Sequence, residues 1–87
     1  MEKEVKPKPV VCNNHLLLPA FKYEGEKGDY VAYHAIPLLP NGEPSGFHVK
    51  CWGFLVRELP DTPAPQEVLN LALHRWRGRL RSDFMDI

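Results

Sequence analysis

The chain has no apolar run that approaches the roughly 20 residues needed to cross a bilayer, so no membrane span is expected. Its opening stretch, "MEKEVKPKPVV", lacks the apolar core of a secretory signal, and a cytoplasmic location is expected. Neither charge is in excess. Eleven Lys and Arg balance eleven Asp and Glu, the formal net charge is zero, and no global field draws the chain to nucleic acid or membrane. There are only two Cys. In a reducing compartment such a pair suits metal ligands or buried thiols better than a disulfide, and a Cys12–Cys51 disulfide is the alternative for a secreted chain. A Gly-rich phosphate loop, a nucleophile elbow and a paired-carboxylate pattern are all missing. Ser45 and Ser82 have no base near them in the sequence. These gaps point away from an enzyme and from a small-molecule substrate.

What is there fits one small domain. With 87 residues, 44% of them apolar and 25% charged, the composition is that of an ordinary soluble globular chain. A domain of this size buries only about 60% of the surface its unfolded chain exposes, so a metal, a disulfide or a partner is a common supplement. Residues 1–9 alternate Lys, Glu and Pro and read as a mobile tail; residues 10–81 read as the domain and 82–87 as a second tail.

Three strands and a helix are expected along the domain. Val10-Val11 enters a tight turn at Asn13-Asn14, and residues 16–18, all Leu, leave it. "EGEKGD" (24–29) reads as a polar loop, and "YVAYHAI" (30–36) as a strand. "PLLPNGEPSG" (37–46) reads as a loop that is tightest at Asn41-Gly42. "FHVKCWGFLVRE" (47–58) is the strongest strand pattern, with a bulge or turn expected at Gly53. Thr62 is placed to cap a helix whose apolar stripe is Leu69, Leu73, Trp76 and Leu80, and Gly78 either ends that helix or is tolerated within it. The expected fold is thus α+β, a three-stranded antiparallel sheet with one C-terminal helix.

Two mirrored tetrapeptides carry the possible chemistry. "CNNH" (12–15) and "HVKC" (48–51) each hold a Cys and a His two residues apart. Zinc takes four ligands in tetrahedral array, and such spacers supply them in pairs because a tight turn lets side chains i and i+3 converge. Cys12, His15, His48 and Cys51 are therefore candidate ligands of one structural zinc, provided the chain bends between Lys50 and Gly53. An extended strand there would send His48 and Cys51 to opposite faces. The plainer reading is two buried thiols and two ordinary His. A site closed by four protein ligands leaves no position for water and would not be catalytic.

"HRWRGRLR" (74–81) is the best partner-binding feature. On a continuing helix Arg75 and Arg79 share one face, as do Arg77 and Arg81. Such a face suits phosphates or an acidic protein surface; the plainer reading is a solvated helix end, where cations suit the dipole.

Taken in order, "CNNH", "HVKCWG" and "TPAPQEVLNLALHRWRGR" resemble the restriction-alleviation (Lar-type) zinc-ribbon proteins of phages and prophages. There, two ligand pairs precede a helix opened by Thr or Ser and closed by a Trp-x-x-Arg-like ending. The resemblance spans residues 11 to 79 and implies a zinc-ribbon-like fold with Cys12, His15, His48 and Cys51 as ligands, two of them His where the family has Cys. It implies a non-enzymatic accessory protein of a phage or mobile element, working in a bacterial cytoplasm. Such a protein binds and modulates a host DNA-handling or defence complex, here through the Arg-rich helix. Two further expectations stand beside it, a His-based metal-dependent nuclease and a metal-free β-β-β-α protein inhibitor.

Overall fold

The structure, a computed structural model, describes residues 6–84. It contains strands β1 (Val10–Cys12), β2 (His15–Gly25), β3 (Gly28–Pro37) and β4 (Lys50–Leu55), then helix α1 (Gln66–Trp76). The strands form one antiparallel sheet in the order β1-β2-β3-β4, so the fold is α+β, with four strands among the described residues where three were expected. The extra strand is the short segment before the first turn. Asn13 (φ 50°) and Asn14 (φ 59°) are both left-handed, the two-residue hairpin turn that matches strand twist. Val10 therefore pairs with Leu17, Val11 with Leu16 and Cys12 with His15.

Both sheet faces are covered over their central part. That is why residues 16–18 are a continuous Leu run rather than an alternation, and all three are fully buried. One face carries Val10, Leu17, Val31, Tyr33 and Ala35. The chain leaving β4 crosses beneath it through a single 3-10 turn, Val56–Glu58, and Val56 and Leu59 pack onto that cluster. It then runs along the outer edge of β1, where Val11 donates its N–H to the Thr62 carbonyl (3.0 Å) and Ala64 to the Pro9 carbonyl (3.2 Å). We call this the strap face.

The other face carries Leu16, Leu18 and Ile36 beneath α1, which buries Ala72 and Trp76 against them. Val68, Leu69, Ala72 and Trp76 follow helical spacing and supply the stripe. The residue before α1 is Pro65, with no side-chain cap; Thr62, expected there, serves the β1 edge instead. The helix stops at Trp76, with Gly78 left-handed (φ 78°) and Arg79 donating to the Trp76 carbonyl at 2.9 Å.

Beyond α1 the chain wraps the sheet. The Arg81 carbonyl accepts from His34 Nε2 at 2.7 Å, above the helix face. Ser82 donates its hydroxyl to the Pro19 carbonyl, and Asp83 its N–H to the Ala20 carbonyl at 2.7 Å. Phe84 then packs against the strap-face cluster. Residues 82–84 are thus part of the packed domain, and Pro9 is tied to it as well; residues 1–5 and 85–87 of the two expected tails lie outside the described residues.

Two local expectations are corrected. Residues 24–29 are not an open loop: β2 and β3 continue through Gly25 and Gly28, paired across a two-residue turn. The bulge expected at Gly53 is absent, and β4 runs in register past it, with Cys51 opposite His34 and Gly53 opposite Ala32. The register shifts instead in β2, between Pro19 and Phe21. A proline has no N–H for the ladder, and the extra residue turns two carbonyls toward the edge that residues 82–83 fill.

Candidate functional site: an open aromatic half-face

The helix covers only part of its face. Alternation along the strands, carried past the bulge, places Phe21 and Tyr23 of β2, Tyr30 and Ala32 of β3, and Gly53 and Leu55 of β4 on the remainder. Phe21 (45% exposed) and Tyr23 (40%) are among the most exposed large apolar groups of the described residues. Their rings form one cluster. Phe21 and Tyr23 lie 6.0 Å apart at a 50° tilt, and Tyr23 stacks on Tyr30 at 5.2 Å and 12°.

Small residues make the floor. A Cβ at Gly53 would collide with the Tyr23 hydroxyl, so the Tyr23 side chain reaches from β2 to β4. Ala32, on the strand between, is 1% exposed. A Cβ at Gly25 would likewise collide with the Tyr30 ring. The two tyrosines thus lean in opposite directions over glycines and stack where they cross. The glycine that broke the alternation of β4 is a seat for an aromatic ring.

Charge is distributed unevenly about this surface. None of its strand positions is acidic; Glu24 and Asp29 pair with each other on the opposite face, beside Lys22. The Arg81 main chain is held at the near border by the bond from His34 to its carbonyl. β4 forms the far border as the outer strand of the sheet, with no strand beyond it among the described residues.

The expected metal ligands are dispersed. Cys12 and His15 are cross-strand partners on the strap face. His15 donates Nδ1–H to the Asn13 carbonyl at 2.7 Å and packs on Trp52, ring centroids 4.4 Å apart. Cys51 lies on the helix face opposite His34, and His48 is exposed, ahead of β4. β1 and β4 are three strand spacings apart, about 14 Å, whereas two thiolates on one zinc approach within about 4 Å. Among the described residues no three His, Cys, Asp or Glu are grouped to hold a metal ion. The same separation exceeds the roughly 7 Å limit for a disulfide, and both Cys are free. The bend between Lys50 and Gly53 that one zinc site needs is replaced by regular strand.

The Arg residues do not share a helical face, because α1 ends before Arg77. Arg75 is a structural clamp: it donates to the Pro44 carbonyl and pairs with Glu43 at 3.2 Å. Beside it Trp76 donates Nε1–H to the Ser45 carbonyl at 3.0 Å, so the two residues hold the Pro-rich loop against α1. Arg79 lies 6.0 Å from the Trp76 ring centre. Arg77, Arg79 and Arg81 are exposed.

The sequence reading missed the aromatic surface. Its signal was present in the alternation of Phe21, Tyr23 and Tyr30 around "EGEKGD", but that stretch read as a loop, which hid the pairing that joins them. Among the described residues no helix is long and apolar enough to cross a membrane. Comparison with protein-family models, with curated proteins and with solved structures finds no match.

Proposed function

We infer that the protein is a small non-enzymatic binding module whose working surface is the open aromatic half-face. The observation that carries this is the exposure of Phe21 and Tyr23 on a sheet whose central part is covered on both faces. Large apolar groups clustered in the open, on a domain with little core to spare, mark an interaction surface. The pattern of "CNNH", "HVKCWG" and the Trp-bearing helix gives the biological setting: a phage or mobile-element accessory protein that binds and modulates a host DNA-handling or defence complex in the bacterial cytoplasm. Zinc, the other part of that resemblance, would require Cys12 and Cys51 to leave their present strands.

The test is restriction of unmodified DNA in bacteria. Cells carrying a restriction system are transformed with unmodified plasmid, with and without the chain expressed. The expected result is a higher transformation efficiency with the wild type and loss of that gain in the Phe21→Ala, Tyr23→Ala double variant. No gain with a folded, expressed wild-type chain contradicts the assigned setting. Magnesium-dependent cutting of plasmid by the purified chain would replace it with the nuclease reading.

A further inference from the structure

We propose that the open half-face binds single-stranded nucleic acid, with bases stacked on Phe21 and the Tyr23–Tyr30 pair and phosphates held by Arg81 and Arg79. This rests on the binding-module reading and names its ligand.

The surface supplies what single-strand binding requires. Bases stack on exposed aromatic rings presented by a sheet, largely regardless of sequence, because every base has a π-face. Phe21 is 45% exposed, and Tyr23, stacked on Tyr30, is 40% exposed, so both rings present surface to solvent. Ala32 and Gly53 put no side-chain bulk between these rings and β4. Charge decides between occupants. An acidic protein surface would satisfy the arginines but would leave the rings without partners. An apolar protein surface would do the reverse. A single strand brings flat apolar bases and phosphates at adjacent positions, matching a ring cluster with cations at its border. No strand carboxylate lies on this face, and Glu24 and Asp29 lie on the other side of the sheet. The exposed Asp83 stands at the border beside Arg81, where its N–H meets the Ala20 carbonyl, so the arginines outnumber it two to one there.

The border is held in place. The Arg81 main chain is anchored by the His34 bond and, one residue on, by Ser82 at the β2 bulge. This sets the Arg81 backbone next to the start of the row that contains Phe21, with its side chain exposed, while Arg79 lies 6.0 Å from the Trp76 ring centre at the end of α1. Double-stranded DNA does not fit this geometry, because its bases are stacked inside the duplex and a flat sheet face cannot reach them.

The experiment is fluorescence anisotropy of end-labelled oligothymidylate of about ten nucleotides, a length within the usual span of a small single-strand module, titrated with the full chain at several salt concentrations. The wild type is expected to bind at low salt and to prefer the single strand over a duplex of equal length. Phe21→Ala should weaken binding about tenfold, the size of one lost stacking contact, and Phe21→Tyr should retain it. Arg81→Ala should lower the slope of log affinity against log salt by about 0.7, one phosphate contact on a single strand. Circular dichroism melts confirm that each variant is folded. No binding by the wild type at low salt overturns the proposal, as does binding that ring substitutions leave unchanged. If binding fails while Phe21→Ala, Tyr23→Ala still removes the transformation gain, the binding-module reading stands and the face takes a protein. If binding holds while no gain is seen, the ligand is right and the setting is wrong.

Discussion

Asn14, with its neighbour Asn13, holds a backbone conformation that most side chains resist (φ 59° and 50°), and the β1–β2 register depends on it. Replacing Asn14 with Val should lower unfolding free energy by about 1–2 kcal/mol, and replacing it with Gly should leave it unchanged or slightly higher, as read from urea midpoints. The same turn was visible in the sequence, because two consecutive Asn leave few other uses. Tyr33 gives a second prediction. It is buried on the strap face against the edge of Phe54, and burial raises its phenol above the usual pKa. The folded state therefore favours the protonated form. That contribution is fully present below the unfolded value near 10 and is lost as pH rises through the folded value. Melting temperature should fall more steeply above about pH 10 in the wild type than in Tyr33→Phe. Gly53 shows the limit of residue-level reading. Its break in the β4 alternation was legible, but the cause lies two strands away in Tyr23, and nothing in the local sequence names that ring.

At the scale of elements, the β2 bulge and the segment after α1 form one device. Pro19 and Ala20 present carbonyls at an edge that β1 is too short to cover, and Ser82 and Asp83 supply the donors. Ser82→Ala should cost about 1–2 kcal/mol, the range for leaving a part-buried acceptor unpaired, and chemical denaturation will read it. Helix α1 was legible from its spacing, and its end from Gly78, the first residue after Trp76 able to turn left-handed at no cost. The β2–β3 hairpin was not. "EGEKGD" is polar because both strands project past the core there, so Glu24 and Asp29 are exposed while still paired. β4 is six residues long where twelve were expected: residues 47–49 lie outside the ladder, Phe47 and His48 in solvent, and Val56–Glu58 forms the 3-10 turn. An apolar alternation reports the pattern of a strand, and a neighbouring strand decides how much of it is used.

For the whole molecule, covering the sheet on both faces answers the question of how so short a chain stabilises itself. Val56 and Leu59 on one face and α1 on the other give it two core clusters without a cross-link. Chelator should therefore leave the melting curve unchanged, and Cys51→Ser, at an exposed position, should shift stability by less than about 0.5 kcal/mol. A large loss in either experiment would show that the chain takes up a metal-bound arrangement different from this sheet. The candidate metal ligands show what chain spacing alone leaves open. Spacing in the chain suggested convergence, while strand parity and sheet order, set by long-range pairing, put Cys12 and Cys51 on opposite faces and opposite edges.

Binding at the aromatic half-face is best measured by nuclear magnetic resonance titration of the full chain with unlabelled single-stranded oligonucleotide, following assigned backbone and aromatic signals. Shifts are expected to concentrate at Phe21, Tyr23, Tyr30, Ala32, Gly53 and Arg81, with the strap face unmoved. Shifts confined to the outer surface of α1, or none at saturating oligonucleotide, would contradict it.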